Sequence, residues 1–400
     1  MVGNGSMPAE PNIETRKGRR ARLLYICDWL PPDFGAVGQY SALSARQLAQ
    51  SGMDVVLCGL SSQGDAKTRE DFPEGSLTEI KLHTVRYNKG KFTERLAWTV
   101  KTNTRLLVRL WRSMRWADKI LFTGSPPLFL HWIAPANLLL RKKLIYRITD
   151  FHPECSIAER GSPSLLLKVL YRVTLFWRRR VDEFEVLGHD QMGRLVDIGI
   201  SPARISLKAD PSPVSIGTNT PSLPRPPQAM GKCLILYSGN WGVAHDYRTF
   251  VDAYIAHHRN GSGKVILWLN AVGSGADKVA ELLSDQRLPF LRGMPVPIEQ
   301  LASLLVTPDA HLISLSDAFV GYVLPSKVHG CVASGRPVLF IGSQRSDVHR
   351  LCTENMRALY FRTDVGDVSG LAKALEELAI SIETIRRTQK DLLVPRKEDG

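Results

Sequence analysis

Lys327 stands in the segment VLPSKVHGCVASGRPVLFIG (323–342), between a helix start marked by Pro325 and Ser326 and the apolar run Val338–Ile341, which reads as a buried strand. A cation in the first turn of a helix faces the positive end of the backbone dipole, so an anion is expected beside it. Two glycine-containing turns supply the rest of an anion cradle. YSGNWGVAHDYRTF (237–250) sets Ser238, Gly239, Asn240 and Gly242 between a strand and a helix, followed by His245 and by Asp246, which can accept N–H groups at the helix start. AVGSGADKVAELL (271–283) ends another strand with Gly273 and Gly275. Loop amides ringing one sheet edge are what a diphosphate requires, and Lys327 would neutralise it. The alternative is a surface lysine that snorkels away from the helix end.

A second group of titratable residues closes a strand in the first half. RITDFHPE (147–154) brings Asp150, His152 and Glu154 to the carboxyl edge of a sheet, where open α/β sheets bind ligands. A solvated loop in which Asp150 caps the next helix explains the same residues. In CDWLPPDFGAVGQY (27–40), Gly35 and Gly38 lie just before a helix start, where backbone can approach a ligand closely. The spacing is not GxGxxG, so a dinucleotide fingerprint is absent, and tight turns without a ligand would use the same glycines.

The elements that must position these residues alternate. In the first half, strands are expected at 21–29, 54–60, 80–87, 119–123, 143–149 and 183–187, with helices at 41–52, 99–116, 135–140 and 165–181. DPSPVSIGTNTPSLPRPPQ (210–228) holds six prolines and reads as a linker. Beyond it, strands at 233–239, 264–270, 311–315 and 338–341 alternate with helices at 245–256, 276–284 and 368–388. The pattern predicts an α/β protein of two Rossmann-like, doubly wound domains facing each other across a cleft. The expected division is a disordered tail at 1–20, a domain at 21–209, a linker at 210–230 and a domain at 231–400, whose last helix can pack back on the first domain.

Composition narrows the function classes. The net charge is +13; residues 1–200 carry 30 Lys+Arg against 20 Asp+Glu, and residues 201–400 carry 22 against 19, so the excess belongs to the first half. An anionic partner is expected, but no recognisable nucleic-acid-binding fold interleaves the basic residues, so nucleic acid is not the expected partner. Two basic, aromatic-containing helices, 101–119 and 162–184, suit an anionic membrane surface. The charge-free window LFTGSPPLFLHWIAPANLLL (121–140) has the length of a membrane span, yet its three prolines predict a strand end, a turn and a buried helix. Six scattered cysteines with no CxxC pair read as buried free thiols of a reducing cytosol, and no metal site is expected.

Taken together, CDWLPPDFGAVGQY, TDFHPE, YSGNWGVAHD and LPSKVHGCVASGRPVLFIG resemble bacterial glycosyltransferase family 4, of the exopolysaccharide and O-antigen repeat-unit type. The resemblance runs from about Leu23 to the end of the chain. It implies a GT-B fold and a metal-independent, retaining hexosyl transfer from a UDP- or GDP-linked sugar. The nucleotide-sugar is then a substrate, and no cofactor is implied. The acceptor is a sugar or a lipid-diphosphate-linked sugar, and the enzyme is cytoplasmic, peripheral at the inner face of the plasma membrane. On this reading His152, Asp150 and Lys327 are catalytic. Gly35, Gly38, Ser238, Gly239, Asn240, Gly242, His245, Pro325, Ser326 and Lys327 hold the donor and its phosphates, and Asp28 and Glu154 line the acceptor side. Two departures stand out: the paired glutamates of many family members are replaced by Tyr322 and Gly330, and the usual Arg and Lys after the first glycine loop of the second domain are missing. A GT-B nucleotide-sugar epimerase and a donor-binding pseudoenzyme that scaffolds partners remain alternatives.

Overall fold

The computed structural model describes residues 19–33, 36–85, 92–124, 126–210, 212, 214–356 and 358–393. The first half contains β1 (Arg22–Trp29), α1 (Ala36–Gln50), β2 (Asp54–Ser61), β3 (Ala66–Asp71), β4 (Ser76–His83), α2 (Phe92–Trp116), β5 (Lys119–Thr123), α3 (Leu130–Leu140) and β6 (Lys143–Ile148). It continues through α4 (Glu154–Arg160), α5 (Leu165–Arg178), β7 (Glu183–Val186), α6 (His189–Asp197) and β8 (Ile205–Leu207). The second half contains β9 (Cys233–Asn240), α7 (Arg248–Asn260), β10 (Val265–Val272), α8 (Ser274–Asp285), β11 (Phe290–Arg292), α9 (Ile298–Val306) and β12 (Ala310–Ser314). It ends with α10 (Lys327–Ala333), β13 (Val338–Ile341), α11 (Asp347–Asn355), β14 (Tyr360–Thr363) and α12 (Val368–Leu393).

The strands form two sheets, one of eight in the order β3-β4-β2-β1-β5-β6-β7-β8 and one of six in the order β11-β10-β9-β12-β13-β14. Among the described strands the antiparallel neighbour is β3, the exposed, charged AKTRED, which lacks the apolar alternation that would announce it. The third strand, expected at 80–87, runs from Ser76 to His83 instead, because it pairs in register with β2 from Asp54↔Ser76 onwards; residues 86 and 87 lie outside the described set. Runs such as LLYIC, CLILY and VLFI are buried on both faces, as parallel strands under helices must be.

The chain parts into two compact units, Met1–Ile145 and Tyr146–Gly400. In the first, Leu23, Tyr25, Cys27, Ala45, Ala49 and Leu57 form the core between α1 and the sheet. In the second, Ile235, Tyr237, Leu267, Leu269, Leu339 and Ile341 pack under α7, α8 and α12, the last through Leu371, Leu375, Leu378 and Ile382 at helical spacing. Polar contacts explain why residues 146–210 fall with the second unit. Asp150 forms an antiparallel bridge with Val323, and the Arg194 guanidinium donates to the Val320 carbonyl at 3.0 Å. The Asp190 and Asp347 amides each donate to the other's carboxylate, at 2.8 and 3.1 Å.

The window 121–140 resolves into the end of β5, a turn and α3, and among the described residues no helix is long and apolar enough to cross a membrane. All six cysteines are free; five are buried and Cys155 is half-buried.

Candidate functional site

The parallel strands β9, β10 and β12 are adjacent, so the segments that follow them emerge at one sheet edge. Ser238 and Gly239 end the strand expected at 233–239, which Asn240 extends by one residue; the three pair with Asn270, Ala271 and Val272. Pairing continues because the turn itself is anchored: Trp241 donates to the Val272 carbonyl at 2.8 Å, and Gly275 donates to the Trp241 carbonyl at 2.9 Å. The four glycines of these two turns serve different ends. Cβ atoms on Gly273 and Gly275 would strike Asn240 and Trp241, so these two let the second turn pack on the first, while one on Gly242 would lie 3.2 Å from Asn240 Nδ2 in its own turn. Gly239 has φ +94° with no atom within 4 Å of its missing Cβ, leaving backbone facing open space.

Lys327 opens α10. Its residue is half-buried, but Nζ is inaccessible to solvent and has no hydrogen-bond partner. The ammonium lies 3.5 Å from the centroid of the Tyr237 ring, and Trp241 stacks on that ring at 3.6 Å and 13°, so cation and indole occupy opposite faces. Burial pulls the Lys327 pKa down to about 7. No carboxylate compensates it among the described residues, so the surface-lysine alternative is overturned. The helix contributes less than the sequence suggested. α10 has seven residues, and Ser326, at its N-cap in helical conformation, makes no side-chain cap bond. Buried Pro325 accepts from the Val328 amide at 3.0 Å and turns the chain into α10.

His245 completes the cluster. Its Nδ1 lies 2.5 Å from the Ser314 carbonyl, which can only accept, so Nδ1 carries the proton and Nε2 presents a lone pair. Burial and then the Lys327 charge hold its pKa down at about 3, so the ring is neutral at pH 7. Asp246 accepts from the Thr249 amide at 3.1 Å and starts α7 as expected.

The Asp150–Glu154 segment is bound to the loop before α10. Besides the Asp150–Val323 bridge, Phe151 donates to the Tyr322 carbonyl at 3.0 Å, and the two rings stand 5.9 Å apart. Burial raises the Asp150 pKa, and His152 partly offsets this. His152 is half-buried, its carbonyl held by Arg178 at 3.0 Å. Glu154 is buried, and its two carboxylate oxygens each accept from the guanidinium of Arg178, a fully buried side chain. A Cβ on Gly330 would lie 2.9 Å from Leu305 Cδ1, so a larger residue there would have to push that side chain aside.

In the first unit, Asp28 is the penultimate residue of β1 and half-buried. Gly38 lies inside α1 and not before it, because a Cβ would fall 1.7 Å from the Trp29 carbonyl oxygen; its smallness serves helix-on-strand packing. Gly35 lies outside the described residues. Sequence reasoning missed Tyr237, which reads as one more apolar residue of a buried strand; its position two residues before Gly239, on the same strand face, was the available signal.

No family model matches the chain, and no curated protein matches it in sequence. Solved structures match it in fold. The chain is similar to "Trehalose-6-phosphate from E. coli bound with UDP-2-fluoro glucose", at 12% identity over 91% of this chain and 94% of that one, with a TM-score of 0.58. It is similar to Anabaena Alr3699/HepE in complex with UDP and glucose, at 10% identity over 93% and 100% of the two chains, with a TM-score of 0.55. It is also similar to WaaG, a glycosyltransferase involved in lipopolysaccharide biosynthesis, at 16% identity over 89% and 90%, with a TM-score of 0.55. The fold is therefore that of the GT-B glycosyltransferases, two parallel-sheet Rossmann-like domains.

Proposed function

We propose that the protein is a metal-independent, retaining hexosyltransferase that moves a sugar from a UDP- or GDP-linked donor to a sugar or lipid-diphosphate-linked acceptor in bacterial surface polysaccharide synthesis. One observation carries the donor side: a buried, unpartnered ammonium at the sheet edge where Gly239 leaves backbone open. A charge that has given up water needs an anion or must deprotonate. A nucleoside diphosphate supplies that anion, and its arrival restores the proton to Lys327.

The chemistry then follows from charge. As the bond from the anomeric carbon to the phosphate oxygen breaks, the electron pair stays on that oxygen and the sugar gains oxocarbenium character. Lys327 stabilises the phosphate charge in a water-poor setting, an effect worth roughly 3–4 kcal/mol for one strong donor. The acceptor oxygen bonds to the anomeric carbon, and its proton passes to the departing phosphate, so no side-chain nucleophile is required. His245, neutral with a lone pair on Nε2, accepts a hydrogen bond from a donor hydroxyl. Asp150 and His152 take catalytic places beside the transferred sugar, Asp28 and Glu154 line the acceptor side, and the enzyme works in the cytoplasm at the inner face of the membrane.

The test is release of nucleoside diphosphate from UDP- and GDP-sugars, with melting temperature measured alongside. UDP or GDP at about a hundred times its Kd should stabilise the chain by roughly 2.7 kcal/mol. Lys327→Ala should lower turnover at least about a hundredfold while the chain stays folded. Turnover close to wild type in that variant, or no nucleotide that shifts the melting curve, overturns the reading.

A further inference from the structure

α5 is amphipathic in the reverse sense. Its fully buried residues are Thr174 and Arg178, while Leu165 (79% exposed), Leu166 (65%), Val169 (47%), Val173 (40%) and Phe176 (46%) face outward. At about 100° per residue these five share one arc of about 100°. The inversion has a cause in the core. Arg178 turns inward to Glu154 and the His152 carbonyl, with its guanidinium 5.1 Å from the Phe151 ring centroid, so the polar face of the helix is satisfied inside and the apolar stripe is left outside. Scattered exposed leucines need no explanation, but a contiguous stripe does.

The stripe has a charged border. Lys168, Arg172 and Arg179 project into the adjoining arc, and Arg180 follows, its guanidinium 3.5 Å from the Phe176 ring centroid. All four are exposed, and none pairs with a carboxylate among the described residues. We infer that α5 docks in the interface of an anionic bilayer, with its apolar stripe among the acyl chains and these four cations on lipid phosphates. Fourteen residues are too few to span a membrane, so the helix lies in the plane. Charge selects lipid over a second copy of the chain, because two such faces together would oppose unpaired cations with no acidic complement. α2 is not the docking element: its basic stripe has Val108 as its one strongly exposed apolar member, and Arg105 is engaged by Asp65 at 3.2 Å. Because Arg178 ties the inward face of α5 to the His152 carbonyl and Glu154, docking would hold residues 152–154 on the side of the helix away from the lipid, roughly one helix diameter of about 10 Å from it. The inference rests on the membrane part of the proposed function and is independent of the donor.

The test is co-sedimentation of the full chain with phosphatidylcholine vesicles, with and without phosphatidylglycerol. Wild type should bind the anionic vesicles, lose binding as salt rises, and leave neutral vesicles unbound. Arg172→Gln with Arg179→Gln should weaken binding about fivefold per charge, and Leu166→Asp with Phe176→Ser should abolish it, with melting curves and nucleotide-induced shifts unchanged. No binding by wild type, or binding untouched by either pair, overturns the inference. So does a solution dimer that Leu166→Asp dissociates while vesicles remain unbound. A chain that docks through α5 yet shows no nucleotide shift removes the donor reading alone; one with the shift but no docking removes this inference alone.

Discussion

At the Lys327 amine, burial and the Tyr237 ring act in opposite directions. The ring face attracts the cation, but loss of water dominates and brings the pKa to about 7, below the ordinary lysine value of about 10.4. A depressed lysine contributes stability that is fully present above its unfolded pKa and is lost as pH falls to the folded one. The free protein should therefore become more stable from pH 7 to about pH 10, with this lysine adding up to about 1.4 kcal/mol per pH unit. Lys327→Met should remove that part of the slope, read as the difference between denaturation curves of the two proteins across the window; parallel pH profiles would refute it. The same chemistry requires UDP or GDP binding at pH 8 to take up close to one proton, measured by calorimetry in buffers of different ionisation heat. The residue types around Lys327 marked it as a cation in an unfavourable place. The reason was not legible: the dipole of a seven-residue helix matters less than a buried ammonium, and Nζ lies against Tyr237, 90 positions away.

Among the elements, the alternation of short apolar runs with helical segments was readable, and β5 and β13 fall where the residues placed them, because parallel strands covered on both faces leave continuous apolar runs. β3 was not readable, since an exposed edge hairpin carries no such run. Helix starts shifted where tertiary packing outvoted local signals: α1 begins at Ala36 and draws Gly38 onto Trp29. The Glu154–Arg178 pair shows what else a carboxylate at a strand end does. Three titratable residues within five positions look like a site, and one of them also neutralises an arginine 24 residues later. Removing one partner of a buried pair typically costs about 3–5 kcal/mol. Glu154→Gln should lower stability by about that amount while nucleotide affinity stays within about twofold, a ΔΔG of roughly 0.4 kcal/mol. A Glu154→Gln protein as stable as wild type would refute the structural role of the pair.

For the whole molecule, composition and strand alternation disclosed two Rossmann-like halves, yet the place where the chain divides is set by contacts between residues far apart in sequence. Arg147 reaches Asp210 at 2.5 Å, Asp190 reaches Asp347, and neither partner is marked by its local residues. The proline-rich stretch illustrates the point. It reads as a linker, and its end is tied down: Leu223 donates to Thr307 Oγ1 at 2.8 Å, and Arg225 donates to Asp309 at 2.7 Å. Asp309 also receives the Leu234 amide at 2.6 Å, opening β9, and Arg386 of α12 at 2.7 Å. One carboxylate thus joins the linker, the first strand of the second sheet and the terminal helix; an alanine there would leave the buried Leu234 amide unpaired, while Arg225 and Arg386 would keep only the Lys232 and Ala229 carbonyls. Asp309→Ala should therefore destabilise the second unit by roughly 1–3 kcal/mol, the cost of one buried donor left unpaired. Hydrogen exchange followed by mass spectrometry locates the effect: peptides covering 221–236 and 383–388 should lose protection together, whereas a free linker would exchange at the same rate in both proteins. Loss confined to residues 383–388 would mean that the clasp holds only the terminal helix.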